Sequence, residues 1–224
     1  MDGPVAAALA VEYGAVTEAV SGLSVGAFSA ATRLPGWTVG DLLFHLAQDA
    51  RRARADLATR PAGPADVDAV SYWRTYDPAG QGATLRDLTS REARRRYPTP
   101  AGLIADWLWW SGDTLPAVER RGGDELVETQ DHVMTVEDLV RTLVVEATVH
   151  GDDLAAALGA DPWSTAAGLE ITKETLLGLL GAPLPATVGW DDLTLLRKGT
   201  GRTPLTEGER QLLGSAVDRF PLLC

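Results

Sequence analysis

The sequence predicts an all-α protein. Residues 1–160 read as an antiparallel four-helix bundle and residues 161–224 as a short, mostly helical C-terminal appendage. Three observations carry this. Four long segments place apolar residues at helical spacing. Each is opened or closed by a capping signal. No segment between them alternates convincingly as a strand. The 224 residues suit one domain with an appendage, or two small domains.

The first helix runs from Pro4 to about Ser21, with Val5, Leu9, Val16 and Val20 on one face. Leu34-Pro35-Gly36-Trp37 is a turn. Thr38 then caps a second helix, with Asp41 as its capping-box partner. That helix reaches about Leu57 and buries Val39, Leu42, Leu43 and Leu46. Arg60–Gly82 is rich in Pro, Gly and Asp and reads as a long loop with room for one helical turn. A short helix follows at about Thr84–Tyr97, and its Arg91–Arg96 run is most simply a solvent face. Thr99-Pro100 opens the third long helix, because proline suits the first helical position. It carries Leu103, Ile104, Trp107, Leu108 and Trp110, and Pro116 should kink or end it. After a Gly122-Gly123 turn, Asp124–Val133 reads as an irregular connection. Thr135 caps the fourth long helix with Asp138 in a second capping box. This helix stops at Gly159, a natural C′ residue. In the tail, Ser164 caps a helix and a Pro/Gly-rich stretch follows. Thr206 and Glu209 then box the final helix, which Gly214 ends.

Composition excludes several functions. Net charge is −11, against the basic face that nucleic acid requires. One cysteine, Cys224, excludes an internal disulfide framework and any Cys-rich metal site. Three histidines permit at most one ordinary His-ligated metal site. The N-terminus lacks a positive n-region, and its Ala-rich stretch carries Glu12 and Glu18. No apolar run reaches the roughly 18 residues of a membrane span. A cytoplasmic protein is expected.

The informative segment is Leu143-Val144-Val145-Glu146-Ala147-Thr148-Val149-His150. Glu146 and His150 are four apart and share a helix face with Leu139, Leu143 and Leu154. A carboxylate on a buried stripe needs a partner. A divalent cation is one economical solution for a Glu/His pair; an arginine or a satisfied core hydrogen bond is another. The spacing alone arises by chance in about one chain in six of this composition. His45 flanks the Leu42/Leu46 stripe, so it can point between helices or bond Asp49 one turn on. Two histidines and one carboxylate would leave coordination positions open, the mark of a catalytic site. His132, just before the fourth long helix, can bind an anion, shuttle a proton or sit idle in its loop. Trp37 and the Trp107/Trp109/Trp110 cluster can wall a pocket or simply be core. Arg202 is either an anion binder or a solvated arginine.

Two segments carry a family resemblance: LPGWTVGDLLFHLA (Leu34–Ala47) and HVMTVEDLVRTLVVEATVHGDDL (His132–Leu154). In this order, about 100 residues apart, they resemble the mycothiol-dependent maleylpyruvate isomerase family of DinB-like four-helix bundles. The resemblance spans roughly residues 5–160. The tail KGTGRTPLTEGERQLLGSAVDRFPLL resembles actinobacterial members of the group. It implies a divalent metal, usually zinc, held by His45, Glu146 and His150. It also implies mycothiol as a low-molecular-weight thiol cosubstrate acting on a small electrophile, by cis–trans isomerisation or S-transfer. Two departures bear on substrate. Many relatives have a second histidine where this chain has Gly151, and authentic maleylpyruvate isomerase carries a larger α/β C-terminal domain. The competing expectations are a non-catalytic metal- or ligand-binding module, closed by a fourth ligand such as Asp49 or His132, and a metal-dependent hydrolase.

Overall fold

A computed structural model describes residues 3–75 and 81–223, the side chains of 81–87 apart. Cys224 and the stretch 76–80 of the expected long loop lie outside the described residues. The elements are α1 (Pro4–Val20), α2 (Val25–Phe28), α3 (Val39–Asp56), α4 (Gln81–Arg96), α5 (Pro100–Glu119), β1 (Leu126–Thr129), β2 (His132–Thr135), α6 (Val136–Leu158), α7 (Ala166–Leu180), α8 (Asp192–Gly199) and α9 (Glu207–Leu213). Single 3-10 turns occur at Ser71–Thr75, Ala186–Val188 and Gly214–Arg219. Among the described residues the fold is all-α apart from one hairpin.

The four long helices form the bundle. Both α1 and α3 pack against α5 and α6, so the four close a ring around one core. The expected stripes are the buried ones. Val5, Leu9, Val16 and Val20 of α1 and Val39, Leu42, Leu43 and Leu46 of α3 are all at most 5% exposed. Thr38 and Asp41 make both bonds of the capping box. Trp107 is enclosed and its Nε1 donates to Thr17 Oγ1 at 3.0 Å, whereas Trp109 is 67% exposed. The tryptophan cluster is thus divided between core and surface.

Several expectations are corrected. The connection Asp124–Val133 is not irregular: β1 and β2 pair antiparallel, with Leu126 opposite Thr135 and Thr129 opposite His132. Gln130 and Asp131 both take positive φ, the twist that joins two strands through two residues. Pro116 does not end α5. It removes one N–H donor, but its own carbonyl still accepts from Arg120 N at 3.2 Å, so the helix runs to Glu119. Thr165, not Ser164, caps α7, its hydroxyl accepting from Gly168 N. Thr135 caps α6, but Asp138 does not reach back to complete a box. Thr135 belongs to the β ladder, and Asp138 turns to the Thr135 hydroxyl and to Ala69 N. The Pro/Gly-rich tail contains α8, which Asp191 caps.

The tail lies against the bundle: α7 packs on α6 and α1, and α8 packs on α7. Glu12 of α1 accepts from Thr165 N at 3.0 Å and from the Thr165 hydroxyl, placing a carboxylate at the α7 N-terminus. No described helix is long and apolar enough to cross a membrane.

Candidate metal centre

Helix geometry places the three central side chains. On α6, Glu146 and His150 are one turn apart and face α3; on α3, His45 faces back. His45 Nε2 lies 3.2 Å and His150 Nε2 3.1 Å from the same oxygen, Glu146 Oε2. One ligand atom from each lies within 4.8 Å of the other two. The imidazole rings meet edge-on, 5.1 Å between centroids. All three side chains are partly buried, His150 at 12% exposure.

Electrostatics sharpen this picture. Enclosure raises the Glu146 pKa, but hydrogen bonds from His150 and His45 outweigh it and hold the carboxyl well below its usual range. Enclosure disfavours a charged His150, yet Asp153 and Glu146 override it and push its pKa up to about 9. The residues therefore carry a local demand for positive charge between two helices. A divalent cation meets that demand with the donor types present, two imidazole nitrogens and a carboxylate oxygen. The donor set fits such an ion.

The surroundings orient the donors. His150 Nδ1 lies 3.1 Å from Asp153 Oδ2, leaving Nε2 to face the cluster. Asp153, fully buried, also accepts from Arg202 Nη2 at 2.9 Å, and Arg33 Nε lies 3.5 Å away. Next to it, Asp152 pairs with Arg33 at 2.6 Å and with Arg197 at 2.6 Å. Around His45, Trp37 packs at 5.5 Å between centroids, and Asp49 Oδ2 approaches Nε2 to 3.3 Å. That Asp49 oxygen is shielded from solvent and makes no hydrogen bond, while Asp49 Oδ1 lies 2.7 Å from Arg52.

The cluster borders a cavity of about 400 Å³. Of the residues singled out from the sequence, Trp37, His45, Asp49, His132, Glu146, His150 and Arg202 line it, and the Trp107/Trp109/Trp110 cluster does not. They do not share one place. His132 stands on β2 beside Asp66, 3.4 Å from its carboxylate, and is outside the three-residue cluster. Arg202 is not a solvated arginine; its side chain is 8% exposed and locked to Asp153. Sequence reasoning missed Asp153, Arg33, Arg52, Tyr72 and Trp73. Asp153 was readable, since it lies three residues beyond His150 on the same helix. The others arrive from distant segments and leave no spacing signal. Gly151 also finds its reason: a Cβ there would stand 3.0 Å from Trp163 Nε1, so this indole occupies the space a larger side chain would take.

Fold and cluster together define a class: a helical bundle with a two-histidine, one-carboxylate cluster between two of its helices. The family model for the mycothiol maleylpyruvate isomerase N-terminal domain matches residues 9–155, more than half of the chain. The chain belongs to that family, and its fold is the DinB-like bundle. No curated protein and no solved structure matches it.

Proposed function

We propose that the protein is a metal-dependent enzyme that uses a low-molecular-weight thiol, mycothiol, to isomerise or S-conjugate a small electrophile. The observation that carries this is the convergence of His45, Glu146 and His150 on one point at the edge of a cavity. His45, Glu146 and His150 would hold the ion; Zn²⁺, the ion the family resemblance implies, is among those that two imidazoles and one carboxylate suit. When bound, such an ion favours thiolate over thiol at neutral pH. Asp153 fixes the His150 ring so that Nε2 faces the ion. Trp37 braces His45 and walls the cavity on the same side. Arg202 holds Asp153 in place and brings the tail to the site. His132 lines the cavity, and in this reading it would exchange a proton with the substrate. In this reading the reacting sulfur comes with the cosubstrate and the enzyme needs no cysteine of its own, which fits a chain with the single cysteine Cys224. In this reading residues 1–160 are the metal-binding bundle and 161–224 the appendage that completes the cavity. The cytoplasm is its place, because a small thiol stays reduced there.

The test is metal analysis of the wild type and His150→Ala, beside a thiol-conjugation assay. The variant should lose most of its metal and its activity; unchanged metal content sinks the reading. Asp49 supports a second reading, a closed non-catalytic site, since its free oxygen faces His45. Cobalt substitution separates the two: addition of thiol should alter the visible spectrum of an open site and leave a closed one unchanged. Turnover of an ester without thiol would favour a hydrolase instead.

A further inference from the structure

The ring of four helices has two sides of different character. The α3/α6 side holds the histidine–glutamate cluster and its cavity, and no residue of α1 or α5 lines that cavity. The α1/α5 side turns its outer surface to solvent. Although 23% of the chain is charged, the exposed residues of these two helices are charged only at Glu18 and Glu119, each in the last turn of its helix. Neighbouring α4, by contrast, exposes Arg94, Arg95 and Arg96 in its last turn. Three large apolar side chains stand out from the uncharged face: Trp109 at 67% exposure, Val11 at 55% and Leu108 at 44%. Alanine, glycine and proline fill its other exposed positions. The appendage leaves this face open, since α7 packs on α6 and α1, α8 packs on α7, and α5 packs on α3 and α1. A contiguous apolar face of this kind marks an interaction surface, whereas a lone exposed tryptophan would not.

Size, shape and charge all fit a second copy of the chain. At 1.5 Å per residue α5 is about 30 Å long and α1 about 25 Å, and two packed helices make a face about 20 Å wide. That is roughly 500–600 Å² per copy, enough for the total of about 1,000 Å² that a specific association needs. The face also carries both halves of a self-complementary contact. Trp109 and Leu108 protrude, while a Cβ on Gly14 or Gly112 would meet nothing within 4 Å, so hollows lie beside the knobs. Two copies of net charge −11 repel over most of their surface, and here they can meet without opposing like charges. We propose that the outer face of α1 and α5 is a homodimer interface, in which a second copy packs across a twofold axis with Trp109, at the middle of α5, near the centre. The two cavities then open on the far sides of the dimer, each built by one chain.

Analytical ultracentrifugation of the full chain tests this, with a reductant present so that Cys224 cannot link two molecules. The wild type should sediment at about twice the chain mass of 23.8 kDa. A wild type that stays monomeric up to about 0.5 mM overturns the proposal and leaves the face to a different protein. Trp109→Glu places a charge at the centre of the face and should weaken the dimer at least about tenfold. Ala105→Glu, one turn earlier on the same face, should act alike without removing an aromatic ring. Leu212→Glu, on the exposed side of α9, should leave the dimer intact. If the α5 variants dimerise like the wild type, or if Leu212→Glu weakens the dimer as much as they do, the interface is not this face. Circular dichroism and metal content per chain should be unchanged in the α5 variants, because their side chains touch neither the core nor the cavity; dissociation accompanied by loss of helix would overturn the assignment of these residues to a surface contact. Raising salt from about 0.05 to 0.5 M should tighten the dimer several-fold by screening the repulsion between copies. Weakening by salt would mean that ion pairs, and not this apolar face, hold the two chains together.

Discussion

His150 is the residue on which the site turns, because its two ring nitrogens have different tasks. Nε2 faces Glu146 and His45, and Nδ1 is held by a fully buried carboxylate, Asp153. Removing that charge while keeping the shape isolates its contribution. Asp153→Asn is expected to weaken metal binding about 10–100-fold. Competition with a chromophoric chelator measures this, and far-UV circular dichroism checks that the helices remain. Equal affinity would mean that Asp153 does not orient His150. At this scale much was legible. The i, i+4 spacing fixes Glu146 and His150 on one face whatever the rest of the chain does, and His45 follows from its own stripe. Arg202 was not legible. Its contact with Asp153 joins residues 49 apart, and only the return path of the tail brings them together.

Among the elements, α7 shows a conflict between propensity and packing. Alanine favours a helix over glycine by roughly 1 kcal/mol, so Gly168→Ala in the first turn of α7 looks stabilising. A Cβ there would instead strike Glu12 Oε1 and lie 2.6 Å from Thr148 Oγ1, both from the bundle core. The variant should be destabilised by about 1–3 kcal/mol in urea unfolding, and any gain in stability would contradict this packing. The last helix carries a pH signature. Lys198, Thr206 and Trp190 bond Glu209 and lower its pKa from 4.5 to about 2. A carboxylate depressed in the folded state stabilises above its ordinary pKa and loses that contribution as pH falls toward the folded value. The wild-type advantage over Glu209→Gln should therefore be full above pH 4.5 and shrink toward about pH 2, read by denaturant midpoints at each pH. A gap independent of pH would rule out the charge as its source. The hairpin and α8 escaped sequence reading for different reasons. Gln130-Asp131 lacks the glycine that usually announces a two-residue turn, and α8 is too short to show a clear period.

For the whole molecule, the donors come from α3 and α6, so ion binding ties two sides of the ring together. A ligand that binds only the folded state stabilises it by mass action, about 2.7 kcal/mol at one hundred times Kd. Chelation should lower the melting temperature by several degrees for a chain of this size, on the order of 5–10 °C. His150→Ala should show no such shift, and differential scanning fluorimetry decides it; a wild type indifferent to chelator would argue against a site spanning the bundle. By itself the sequence determined the class, the four long helices and the residues able to donate to an ion. These follow from local rules: 3.6-residue periodicity, capping side chains and the one-turn spacing of Glu146 and His150. Tertiary structure alone decided which groups orient those donors, that the lining arginines are already paired, and that Trp163 fills the space above Gly151. Each of these depends on contacts between segments far apart in the chain, and such contacts are fixed only when the core closes.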